Sequence, residues 1–269
     1  MARPISFLSD YGVSDEFVGV VHGVIATIAP GARVIDVTHG IPRHGVLAGA
    51  LALERAISFL PAGVHLAVVD PEVGARRRAV ALRTDGDQLL VGPDNGLLIP
   101  AAERLGGIAE AVEIGCSPWR LEPVSATFHG RDVFAPVTAR LAMGEPLAGA
   151  GTPMDPGELV VLERTRAERA PDGSLRSRVV SVDAFGNAQL DGDHEDAAAI
   201  GLRTGAPLRL EIDASSVDAV FARAFADVAP GSVLVYEDPS HALAVAVNCG
   251  SAVDVLGLGP GHEVRIAPA

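Results

Sequence analysis

Over the first half of the chain, short β-branched and aliphatic runs alternate with longer stretches rich in Ala and Gly. The runs at 5–9, 33–37, 64–69, 79–83, 88–91 and 111–114 read as strands, and the stretches at 15–29, 45–60, 96–105 and 131–143 as helices. Strands in turn with helices are the pattern of βα units on a mainly parallel sheet, because a parallel pair needs a crossover long enough to hold a helix. Asp15 and Glu16 suit the positive end of the first helix, and Pro30-Gly31 stops it. Residues 144–157 break the rhythm. They are rich in Gly and Pro and carry little period, which predicts a boundary between an α/β domain over 1–150 and a second domain over 158–269. Beyond it, apolar runs at 178–182, 207–212, 233–236, 242–247 and 264–266 arrive at roughly regular intervals with Gly, Pro or Asp turns between them. That spacing predicts a smaller β-rich, barrel-like domain.

With 269 residues and 48% hydrophobic content, the chain buries one sizeable core and a smaller second one. A net charge of −13 argues against a nucleic-acid partner, since phosphate binding needs a basic face, and favours a small-molecule ligand. Cys116 and Cys249 have no CxxC neighbour and no His in ligand spacing, which suggests neither a disulfide framework nor a structural zinc site and fits the reducing cytoplasm. The N-terminal apolar run is too short for a signal peptide, and no stretch approaches the ~18 apolar residues of a membrane span. All 21 basic residues are Arg. A P-loop lysine and any Schiff-base lysine are thereby excluded.

Candidate chemistry sits where strands are predicted to end. Asp10 and Asp15 follow the first strand, at the crevice where open α/β sheets bind ligands, and no GxGxxG is present. Carboxylates there would repel phosphate but could hold ribose hydroxyls or a cationic group; equally, Asp15 could be a helix cap and Asp10 a turn residue. Asp70 ends the third strand and precedes Arg76-Arg77-Arg78, a pattern that often makes only a solvated salt bridge. The segment from Val91 to Gly96, with Asp94, reads as a tight turn. His129 beside Gly130 at a helix start is a candidate proton acceptor near neutral pH, although a lone His is most often structural. Asp183, Phe185 and Asn187, and later Tyr236, Glu237 and Ser240, place polar groups beside aromatics on loops, where a planar base could stack or where hairpins simply turn.

Taken in order, SFLSDYGVSDEFVG, VVDPEVGARRRA, VGPDNGLL, TFHGRDVFAP, VDAFGNAQL and YEDPSHALAVAVNCGSA resemble the S-adenosylmethionine hydroxide adenosyltransferases, adenosine-forming hydrolases related to the fluorinating and chlorinating enzymes. The resemblance spans nearly the whole chain. It implies an α/β domain followed by a β-barrel-like one, a homotrimer with active sites between subunits, and no cofactor beyond the substrate. It also implies hydrolysis of S-adenosylmethionine to adenosine and methionine around an Asp70, Arg77 and His129 triad. By the same matching, Asp10 binds the ribose diol, and Asp15 and Asp183 face the methionine amino group. Ser240 lies near the methionine carboxylate, with Phe185, Asn187, Phe225, Asn248 and Cys249 around the adenine. The halogenating relatives carry Tyr in place of Asp70 and Tyr-Ser in place of His129-Gly130, and the fluorinating ones add a loop that this chain lacks, so water is the expected nucleophile. Departures are Glu72, where most hydrolases have Gly, Ala75 for Ser or Thr, and His44 where relatives often have an aromatic. His129 and Asp70 both stand as candidate bases. Two rival readings are a metal-dependent phosphohydrolase built on Asp10, Asp15, Asp70 and Asp94 and a non-catalytic S-adenosylmethionine or adenosine sensor.

Overall fold

The run Ile5-Ser6-Phe7-Leu8-Ser9 is buried at every position, as expected of a strand covered on both faces. In the computed structural model, which describes residues 2–213 and 215–269, it is β1 of a seven-stranded sheet. The other strands are β2 (Val34–Thr38), β3 (Val64–Val68), β4 (Ala79–Thr84), β5 (Leu89–Pro93), β6 (Ile108–Glu113) and β7 (Thr152–Met154). Their order is β2-β1-β3-β5-β4-β6-β7. The β2, β1, β3 and β5 pairings are parallel, and β4, β6 and β7 extend the sheet antiparallel.

Period-2 alternation divides the buried side chains between two cores. Ile5, Phe7, Val64, Leu66 and Val68 point to the side packed by α1 (Phe17–Ile28). Leu8, Ala67 and Val69 point to the side packed by α2 (Val46–Ile57) and α3 (Ile99–Arg104). A further helix, α4 (Ala135–Ala142), supplies Val137, Ala139 and Leu141 to the first of these cores. His65, buried on β3, is satisfied at both nitrogens by Ser6 Oγ and Gln88 Oε1, each at 2.8 Å, and burial pushes its pKa down.

The chain divides into two units, Met1–Leu162 and Glu163–Ala269. The Gly- and Pro-rich stretch 144–157 lies within the first, where β7 pairs with β6.

The second unit is a closed seven-stranded barrel. Following a short edge strand β8 (Glu168–Arg169), its staves are β9 (Leu175–Val182), β10 (Ala188–Asp193), β11 (Pro207–Ile212), β12 (Ser215–Phe221), β13 (Val233–Glu237), β14 (Ala242–Val247) and β15 (Glu263–Pro268). Pairing of β9 with both β15 and β10 closes it, which removes open edges from those staves. Leu175, Val179, Leu190, Leu210, Val235 and Val245 are among the residues filling its core. A short helix, α5 (His194–Ala199), enters through a capping box between Asp193 and Asp196. Among the described residues, no helix is long and apolar enough to cross a membrane.

Candidate active site

Two adjacent parallel strands deliver the first acids to one place. Ser9 of β1 is level with Val68 of β3, and the Asp10 amide reaches the Val68 carbonyl at 3.4 Å, so the loops bearing Asp10 and Asp70 leave the same end of the sheet. Asp70 and Arg77 are both on the second of these loops. Arg77 Nε donates to Asp70 Oδ1 at 2.8 Å and its Nη2 donates to Asp70 Oδ2, a bidentate pair with side chains only 4% and 6% exposed respectively. The same Nη2 donates to His129 Nδ1 at 3.1 Å, and the guanidinium lies 5.2 Å from the centre of the Phe134 ring. Gly74 makes this convergence possible: its φ is +76°, and a β-carbon there would stand 2.2 Å from the Ala126 carbonyl on the loop leading to His129.

The His129 segment is held by an irregular turn. Residues Gly130–Phe134 wind as one π-helical turn before α4 continues. Pro136 has no N–H to return to the Asp132 carbonyl, which accepts the Leu121 amide instead at 2.8 Å. The buried Asp132 carboxylate takes Ser125 N at 2.8 Å and Arg131 Nε at 2.7 Å, tying loop to helix. Because a guanidinium only donates, His129 Nδ1 must be an acceptor, and the neutral ring carries its proton on Nε2. Burial, then the Arg77 charge, lower the His129 pKa against the opposing influence of Asp70.

Tyr11, one residue past Asp10, packs edge-on against Phe7 and Phe128 and tilted against Phe17. Burial, then the charges of Asp10 and Asp70, push its pKa up and keep the phenol protonated. Asp10 Oδ2 accepts the His44 amide at 3.0 Å, with His44 itself in the left-handed region at φ +64°. Asp15 is exposed and lies before α1, which has no side-chain cap.

The remaining predicted residues belong to the second unit. Asp183 Oδ1 accepts the amides of Phe185 and Asn187 at 2.9 Å each, and its Oδ2 accepts Asn187 Nδ2 at 2.8 Å. This closes the β9–β10 turn and leaves the Phe185 ring 80% exposed at its tip. Ser240 donates to Asp238 Oδ1 through its amide at 2.7 Å and its hydroxyl at 2.5 Å. Phe225 tilts against Tyr236 at 5.1 Å, and burial with Asp183 and Asp238 nearby pushes the Tyr236 phenol up to about 12. Asn248 Nδ2 donates to the Val228 carbonyl at 2.7 Å, and Cys249, at φ +58°, follows it.

Comparison with known proteins shows what the chain as a whole resembles. Residues 5–151 match the SAM hydroxide adenosyltransferase N-terminal domain and residues 177–265 the corresponding C-terminal domain. The chain belongs to the SAM hydroxide adenosyltransferase family. An (R)-S-adenosyl-L-methionine hydrolase of Salinispora tropica is 50% identical over 262 residues, 97% of each chain. One from Thermus thermophilus is 38% identical over 273 residues, covering 98% of this chain and 99% of the relative. A crystal structure of an uncharacterized conserved protein from Thermotoga maritima superposes with a TM-score of 0.90 at 36% identity, covering 98% of this chain and 99% of that one.

Within this family member, the three consecutive arginines have separate fates. Arg77 takes Asp70, Arg78 takes buried Asp94 through Nε at 2.8 Å, and Arg76 is exposed. Two of the four carboxylates that a phosphohydrolase metal site would need are therefore neutralised by arginine. Glu72 and Ala75 are exposed as well. Sequence reasoning passed over Tyr11 and Phe134 although both sit inside motifs it used. Their signal was adjacency to Asp10 and position five after His129, which acquires meaning only once the π-turn brings them to the triad.

Proposed function

We infer that this chain hydrolyses S-adenosyl-L-methionine to adenosine and L-methionine by attack of water on ribose C5′. Family membership supports the reaction class, and the observation that carries it to this chain is the Asp70–Arg77–His129 constellation, in which one buried guanidinium joins a carboxylate to an imidazole. As the water oxygen bonds to C5′, the C5′–S bond breaks and its electron pair neutralises the sulfonium. Methionine leaves as a thioether and needs no acid.

The protein must position water and accept its proton. Generating free hydroxide would mean lowering a pKa from ~15.7 to ~7, roughly 12 kcal/mol. Loss of the proton during attack avoids that cost. Asp70 is the base in this reading. Arg77 occupies two of the carboxylate's roughly four lone-pair positions and leaves others for the water proton, whereas His129 already holds its proton on Nε2 and receives Arg77 on Nδ1. His129 serves as donor and as the second anchor of Arg77.

Asp10 is proposed for the ribose diol, and Asp15 and Asp183 for the methionine amino group. Ser240 is assigned to the methionine carboxylate, and Phe185, Asn187, Phe225, Asn248 and Cys249 to the adenine, where the exposed Phe185 ring offers a stacking face. The chemistry calls for no cofactor, because the sulfonium is already an activated leaving group. A homotrimer with shared active sites and a cytoplasmic location complete the proposal.

Incubation with S-adenosylmethionine in ¹⁸O-labelled water containing chloride tests it by mass analysis of the nucleoside. Adenosine labelled at the 5′ oxygen is expected. A 5′-chloro product would overturn water as the nucleophile, and bound but intact S-adenosylmethionine would overturn hydrolysis in favour of sensing.

A further inference from the structure

Three metal-ligating side chains meet beside the edge of the first unit's sheet. His22 lies on α1, Asp36 on β2, and His39 directly after β2. The Nε2 atoms of both histidines face the same oxygen, Asp36 Oδ1, from 2.8 Å for His22 and 3.1 Å for His39. One ligand atom from each residue lies within 4.8 Å of the others.

Both contacts are within ion-pair distance and both histidines help hold the Asp36 carboxyl below its ordinary range, but the second differs from the first in its hydrogen-bond geometry. The His39 side chain is only 5% exposed, and its Nε2 makes no hydrogen bond despite the nearby carboxylate. Its other nitrogen, Nδ1, sits 2.8 Å from Ser9 Oγ, which also accepts the Tyr11 amide at 3.3 Å. In the tautomer whose Nδ1–H donates to Ser9, His39 turns a buried Nε2 lone pair toward the Asp36 carboxylate, an arrangement that a cation between them would stabilise. A hydrogen-bonded rear nitrogen and a free forward one is how proteins orient a metal-ligating imidazole.

We propose that His22, Asp36 and His39 bind a divalent transition-metal ion of the zinc, cobalt and nickel class. Two imidazole nitrogens and one carboxylate oxygen suit these ions, whereas calcium and magnesium prefer oxygen throughout. Ligands about 2.1 Å from a metal stand about 3.0 Å apart at a right angle and about 3.4 Å apart at the tetrahedral angle. The separations of 2.8 and 3.1 Å from the two nitrogens to the carboxylate oxygen lie nearer the right-angled value. The exposed carboxylate leaves its outer side open to water. The ion would clamp α1 to β2 and, because the His39 carbonyl accepts the Gly12 amide at 2.8 Å, brace the loop that carries Asp10 and Tyr11. A second grouping, His194, Glu237 and His241, is exposed throughout and offers no buried unsatisfied atom.

The test titrates the metal-stripped full chain with Co²⁺, followed by its d–d absorption, and with Zn²⁺ by calorimetry. One equivalent per chain is expected, with Zn²⁺ displacing Co²⁺ and raising the unfolding temperature. His22→Gln and Asp36→Asn, changed at partly accessible positions, each weaken Zn²⁺ binding at least tenfold. Absence of saturable uptake, uptake indifferent to both substitutions, or uptake abolished by His241→Gln would each overturn the site. None of these outcomes depends on whether the chain is a hydrolase.

Discussion

The hydroxyl of Tyr11 stands where a side chain on Gly130 would begin: a β-carbon there would lie 2.1 Å from the phenolic oxygen. Phe7, Phe17 and Phe128 hold the tyrosine ring from three directions, so it has little room to yield. Glycine after His129 is thus a packing requirement set by a residue 119 positions earlier, and the Tyr-Ser pair of the halogenating relatives could not be installed here alone.

Gly130→Ser is accordingly expected to destabilise the protein by about 1–3 kcal/mol, the usual cost of overpacking, and to slow turnover by displacing His129. Adding Tyr11→Phe relieves only part of the effect, since a ring carbon remains 3.1 Å away, and Tyr11→Leu relieves more. Thermal unfolding of the three variants checks this order, and an unperturbed Gly130→Ser protein would show the contact to be absent.

Arg77 and Asp70 are a nearly inaccessible ion pair, so removing one charge strands the other. Arg77→Met should lose about 3–5 kcal/mol of stability. The Asp70→Asn, Arg77→Met double variant should lose less than the sum of the two single changes, which denaturant unfolding measures through a double-mutant cycle.

Assigning the base to Asp70 makes the two candidates separable. Asp70→Asn is expected to lower kcat by about 10²–10⁴ with little change in KM. His129→Asn keeps an acceptor near Arg77 and should retain more activity than His129→Ala. Equal loss in both histidine variants, matching Asp70→Asn, would return the proton to His129.

Burial and the Arg77 charge favour neutral His129 in the fold, so its ring should titrate below the ordinary 6.5. The unfolded chain then binds more protons as pH falls below 6.5. The contribution of this group to stability is therefore complete above 6.5 and is lost as pH drops toward the lower folded value. Ring-proton NMR measures the midpoint. Asp70→Asn should depress it further, because the Asp70 charge opposes the shift.

Strands and helices were legible where one physical signal dominated. β1, β3 and β5 are buried along their whole length and read as mainly apolar runs, broken by Ser6, Ser9 and His65. β10, with Asp191 and Gly192 inside it, and β12, which opens Ser215-Ser216, were passed over because barrel closure rather than local propensity holds them. The Gly- and Pro-rich stretch 144–157 marks turns, while the division between the units falls after Leu162, because compactness depends on which contacts cross and not on composition.

By itself the sequence determined the two-part architecture and the family through six motifs in register, and it marked out acids, a run of arginines and a histidine as candidates for the chemistry. All of these are carried by local pattern and residue type. Only the tertiary structure decided which of three neighbouring arginines meets Asp70, which nitrogen of His129 is free, why residue 130 must be glycine, and that His22, Asp36 and His39 share one oxygen. Those are distances between residues far apart in the chain, set by sheet order, a π-turn and close backbone approach, and no local pattern encodes them.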